Sequence, residues 1–148
     1  MTRIIAAGLL CLSLVCCSGN PGNEQSNREQ EFTRKMTDVT LAGRFSSQRS
    51  DKIASDKYTI SKVSKVTGDL WLIHSRIQYG DHDVTFPVPV RVLWAGDTPV
   101  LTLTDVGIPG LGTFTSRLLI YQDQYAGTWS SSKGSGGQMF GRIEKNKP

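Results

Sequence analysis

The chain has 148 residues, 17 basic and 13 acidic, with a net charge of +4. That length holds one core and is too short for two. The small basic excess is spread along the chain without a Lys/Arg block, which excludes a nucleic-acid surface. All three cysteines, Cys11, Cys16 and Cys17, lie in the first seventeen residues, so the rest of the chain has no thiol for a disulfide, a metal site or a nucleophile.

Arg3 gives a positive start, and Ile4 to Cys16 is an apolar run of thirteen residues. A spanning helix needs about 20 apolar residues, whereas this run has the length of a secretory h-region. The stretch "LSLVCCSGN" at 12–20 resembles the bacterial lipoprotein signal, in which Leu and small residues precede a cysteine that is diacylated and becomes the new N-terminus. Leu14 and Val15 fit, and Cys16 stands where Gly, Ala or Ser is usual. The resemblance implies a signal peptide over 1–16 and a lipid on Cys17. Because Ser18 rather than Asp follows the cysteine, it also implies an outer-membrane lipoprotein. Plain secretion with cleavage near Gly19 is the competing reading.

From Ser18 to about Gln30 the residues are polar and small, a composition that buries no core. Residues 17–37 therefore read as a lipidated cysteine and a flexible tether, with "EFTRKMT" at 31–37 forming a helical turn or two at most. The folded domain is assigned to 38–148.

Period-two alternation then runs through the chain. Leu41, Gly43 and Phe45 alternate first, and Tyr58 and Ile60 open a strand to about Val66. Trp71, Ile73, Ser75, Ile77 and Tyr79 follow. The strongest signal is "VTFPVPVRVLW", where Val84, Phe86, Val88, Val90, Val92 and Trp94 alternate without a miss. Leu101 and Leu103 come next, then Phe114, Ser116, Leu118 and Ile120, then Tyr125, Gly127 and Trp129, then Met139, Gly141 and Ile143. Turn residues separate them at 67–69, 80–82, 95–99 and 122–124.

This predicts an all-β fold of eight strands in antiparallel, up-and-down order, closing into a small barrel. Gly43, Gly127 and Gly141 fall on the inward face, where glycine permits tight coiling. Pro87 and Pro89 remove two ladder donors from one side of their strand, which predicts a gap on that flank and a partly open barrel.

The pattern resembles a small lipocalin-like (calycin) barrel. "GRF" at 43–45 sits where lipocalins carry Gly-x-Trp, with Phe45 in the tryptophan's place. "WAGDTPV" at 94–100 and "YAGTW" at 125–129 also resemble short β-rich lipoproteins of the planctomycete type. That second resemblance implies no activity.

Catalytic patterns are sparse. His82 lies between Asp81 and Asp83, but neighbours on one turn seldom converge on a metal. "SSSK" at 130–133 matches Ser-x-x-Lys, which must open a helix to act, and here it follows a strand. Asp105 shares a face with Leu101 and Leu103, placing it at a barrel rim. No catalytic residue, metal ligand or cofactor is assigned, and the protein is read as a non-enzyme.

In a meander, successive connections alternate between two ends. Those at 67–69, 95–99 and 122–124 share one end and are tight. Those at 46–56, 80–83, 107–112 and 131–137 share the other, and three of the four read as long, as at the mouth of a binding barrel. "GIPGLG" at 107–112 carries Ile108 and Leu111 there, either as a plug over the core or as a lip touching a guest. Arg49, Lys52, His82 and Lys133 ring the same mouth, favouring an amphipathic or anionic guest. Trp71, Trp94 and Trp129 are the large interior candidates, which either contact a ligand or fill its space. The function read from this is an exported, lipid-anchored, monomeric barrel binding a small apolar or amphipathic molecule. The alternative is an envelope interaction module with a filled barrel.

Overall fold

The computed structural model describes residues 21–147. The signal run, Cys17 and the first residues of the tether lie outside the described residues. The chain forms one helix, α1 (Pro21–Met36), and eight strands: β1 (Val39–Ser47), β2 (Ser50–Thr67), β3 (Leu70–Tyr79), β4 (His82–Ala95), β5 (Thr98–Ile108), β6 (Gly112–Tyr121), β7 (Gln124–Ser131) and β8 (Gly136–Lys145). The strands form a closed barrel in sequence order, every neighbour antiparallel, with β8 returning to β1. This is the up-and-down meander that the alternation predicts.

Helix α1 replaces most of the expected tether. Pro21 suits a first helical position, Glu24 lies in the first turn, and Arg34 and Lys35 lie in the last, as the helix dipole favours. Side-chain bonds Gln25–Glu29, Gln30–Ser26 and Arg34–Glu31 brace its wet face. Among its described side chains only Phe32 and Met36, four apart and so on one face, are buried. The composition of 18–37 hides such a helix because two apolar residues suffice once a surface receives them. That surface is the tight-turn end of the barrel. The Phe32 ring lies edge-on to Trp71 at 5.2 Å and Trp94 at 6.2 Å. Lys65 pairs with Glu29 at 2.6 Å, and Lys145 Nζ donates to the carbonyls of Arg34 and Thr37 at the helix C-terminus. Met36 and the first-layer residues Val39, Trp71, Val92 and Ile120 are fully buried, so this end is a packed floor.

The opposite end differs from expectation in its loops. The segment 46–56 is not a long connection: β1 runs to Ser47, β2 starts at Ser50, and only residues 48 and 49 turn. β2 extends for 18 residues. Its first part stands clear of the core, with Ile53 58% exposed, so neither face needs the apolar alternation that marks a half-buried strand. Likewise β5 reaches Ile108 and β6 begins at Gly112, leaving three residues in the turn.

The two prolines act as their chemistry requires. β4 pairs with β3 continuously from His82 to Arg91. Its pairing with β5 covers only Arg91–Ala95 against Thr98–Thr102. The flank through residues 86–90 is thus unpaired on the β5 side, where Pro87 and Pro89 offer no N–H. Asp105 corrects an expectation. A bulge between Leu103 and Val106, with Asp105 at φ 52°, turns this residue out to solvent, where its N–H and carboxylate both bond Thr115 Oγ1.

Candidate functional site

Above the packed floor the barrel is hollow. A cavity of about 440 Å³ opens at the end formed by the β1–β2, β3–β4, β5–β6 and β7–β8 connections. Its size falls within the range of small-molecule sites. Ile73, Val88, Val90, Leu101, Leu118 and Met139 give it apolar walls.

The sequence-derived mouth residues divide clearly. Arg49, His82, Lys133, Ile108, Leu111 and Trp129 all line the cavity. Lys52 is exposed and lies outside the lining. Trp71 and Trp94 are also outside it, because they form the floor against Phe32 rather than contacting a guest. Ile108 and Leu111 are buried, so the 109–111 turn folds inward and both side chains cap the cavity while forming part of its wall. Pinning this rim, Arg49 Nη2 donates to the Lys133 carbonyl at 2.8 Å, linking the β1–β2 turn to the β7–β8 loop. Beneath the cations lies an aromatic layer. Phe45 sits edge-on to Tyr79 at 6.1 Å and to Trp129 at 5.6 Å, and Tyr79 stacks at a tilt on His82 at 4.9 Å. Asp83 is engaged by Arg76 rather than sharing an ion with His82. Among the described residues, no group of three or more His, Cys, Asp or Glu is placed to hold a metal ion.

A buried polar group escaped the sequence reading. Asp56 is 5% exposed and faces inward on β2. Register places Asp56, Gly43, Gly141 and Tyr125 in one row across β2, β1, β8 and β7. The two glycines leave a trough in the wall, and the Tyr125 ring lies across it to donate its hydroxyl to Asp56 at 3.2 Å. Tyr58, which lines the cavity, donates to the other carboxylate oxygen at 3.1 Å. Burial raises the Asp56 carboxyl above its ordinary pKa, and the two tyrosine bonds oppose this without cancelling it. Burial, and then the facing Asp56, push both tyrosine hydroxyls up, so both remain donors. Counting back by twos from Ile60 through Tyr58 reaches Asp56, which was the available signal. It was missed because 46–56 read as loop.

Comparison of the chain with protein-family models, with curated proteins and with solved structures gives no match. The site's geometry therefore carries the functional argument. None of the helices among the described residues is long and apolar enough to cross a membrane, a statement that leaves strands aside.

Proposed function

We propose that this barrel is an exported, lipid-anchored carrier or receptor for a small apolar or amphipathic molecule, and that it binds rather than catalyses. One observation carries the binding reading: the barrel is packed solid at one end by α1 and hollow at the other. A barrel of eight strands is just wide enough for its own side chains to fill, and here the upper layers leave the space empty. Small inward residues, Ser75 and Ser116, line that space where larger ones would close it. The anchor reading rests on the resemblance around Cys17. A single acyl chain binds membranes only marginally, so stable anchoring takes more than one.

Native mass spectrometry and solvent extraction of the purified protein test the binding reading, with a co-purifying small molecule expected. Membrane fractionation with detergent partitioning tests the anchor, and Cys17→Ala is expected to abolish lipidation, changing both the fraction and the mass. An unchanged fraction and mass would rule the anchor out.

A second reading, an envelope interaction module, draws on the outer wall. Leu93, Val100, Leu119, Ala126 and Phe140 stand side by side across β4 to β8. Leu93, Leu119 and Phe140 are 47%, 43% and 48% exposed. Such a row is larger than the scattered apolar residues of an ordinary surface. A barrel that purifies empty and excludes apolar probes would favour this reading over the first.

A further inference from the structure

The cavity lining has an uneven chemistry that narrows the guest. Its charged and ionisable rim groups are Arg49, His82 and Lys133, and among the described residues no acidic side chain lines it. No ion pair among the described residues engages Arg49 or Lys133. Arg49 directs one guanidinium nitrogen to the Lys133 carbonyl, and its remaining donors are available to an anion. Below the rim the walls are apolar apart from the Tyr58 and Tyr79 hydroxyls and one pair of serines. Ser75 and Ser116 are both buried and both line the cavity, on β3 and β6. Ser75 Oγ has no hydrogen-bond partner in the protein. A buried hydroxyl without a partner is uncommon and calls for an account. The Ile60–Ser75–Phe86 register surrounds it with apolar neighbours, so nothing on adjacent strands relieves it.

The volume sets a third limit. At about 30 Å³ per water-sized group, 440 Å³ holds roughly fifteen such groups. That accommodates one chain of moderate length and not two.

Building on the binding reading above, we propose that the guest is a single-chain carboxylate amphiphile bearing a hydroxyl or carbonyl oxygen partway along its chain. The carboxylate lies among Arg49, Lys133 and His82 at the mouth. The chain descends between the apolar walls, and its oxygen bonds Ser75 Oγ, with Ser116 on the facing wall. The chain end stops above the Trp71–Phe32 floor.

The test is displacement of the neutral probe N-phenyl-1-naphthylamine from the full chain carrying Cys17→Ala, so that no acyl chain of the protein's own competes for the cavity. The competitors are dodecanoic acid, dodecan-1-ol, dodecylamine and a mid-chain hydroxydodecanoic acid. The acid is expected to compete at least about fivefold better than the alcohol, the scale of an exposed ion pair, and the amine worse than both. Arg49→Gln with Lys133→Gln, both at exposed positions, is expected to erase the acid's advantage while the alcohol competes as before. The hydroxy acid is expected to exceed the plain acid by about fivefold, the scale of one neutral hydrogen bond. Ser75→Ala removes that increment and leaves the plain acid unweakened. An alcohol that competes as well as the acid overturns the anionic head, as does an advantage that survives the double substitution. A hydroxyl increment that is absent, or that persists in Ser75→Ala, overturns the mid-chain oxygen. If the probe itself does not bind, the binding reading fails, and this proposal fails with it.

Discussion

Gly43→Ala is the most informative single substitution. A Cβ at this position would fall far inside contact distance of both Tyr125 Oη and the Phe140 carbonyl oxygen, and 3.0 Å from Gly141 Cα, where ordinary contact begins at 3.4 Å. Two of the three obstacles are backbone of the neighbouring strand, so no rotamer change relieves them. Either β1 and β8 separate at the seam that closes the barrel, or Tyr125 withdraws from Asp56. Overpacking of this kind costs about 1–3 kcal/mol, and a buried carboxyl losing one of its two donors costs about 1–3 kcal/mol more. A destabilisation of about 3 kcal/mol is expected, which for a domain of this size lowers Tm by roughly 10 °C. Thermal unfolding followed by circular dichroism measures it, and a double-mutant cycle with Tyr125→Phe separates the two contributions. The second substitution removes the hydroxyl that the new methyl would strike, so the two effects overlap and the double variant is expected to be more stable than the sum of the singles. A Gly43→Ala protein within about 0.5 kcal/mol of the parent, or strict additivity with Tyr125→Phe, would refute the trough.

Other expectations follow from the floor, the buried acid and the lip. Phe32→Ala is expected to cost about 3–5 kcal/mol and to release α1, read as a red shift of Trp71 and Trp94 emission and faster proteolysis between residues 21 and 36. Asp56 has its folded-state pKa raised above the ordinary value of 3.8. The folded protein therefore holds this proton more tightly than the unfolded chain, and its contribution is fully present below about pH 3.8 and declines as pH rises through the folded value. The difference in Tm between the parent and Asp56→Asn is thus expected to move against the parent as pH rises from 4 to 7, and a flat difference would show the carboxyl to be unperturbed. Ile108→Ser with Leu111→Ser is expected to weaken binding of a neutral apolar probe about tenfold, two buried apolar contacts being lost, while the barrel still melts in one cooperative transition.

Much of the architecture was legible because a barrel wall is a local pattern. Each strand with one wet and one dry face must alternate, so Val84 through Trp94 declared themselves, as did the seven weaker strands. The parity of the connections placed Arg49, His82, Ile108 and Lys133 at one end without any contact being known. Pro87 and Pro89 announced the unpaired flank because the missing N–H is a property of the residue itself.

What remained hidden depends on partners distant in the chain. Alternation puts Asp105 at the rim on the face of Leu101 and Leu103 because it counts residues, and a bulge, which inserts one, reverses the face at that point. Asp56 lies between Ser55 and Lys57 in a stretch without apolar alternation, and its carboxylate is held by Tyr125, 69 residues away. Trp71 and Trp94 look the same in sequence as Trp129, yet two of them meet Phe32 and the third lines the cavity. Alternation could assign all three inward but could not say which layer was already occupied. The helix α1 decides that. Alone, with two apolar residues in sixteen, it has too little burial to offset the ordering of its backbone. Only the open floor of the closed barrel supplies the missing contacts, and a surface made by eight strands closing together is not a property of any one segment.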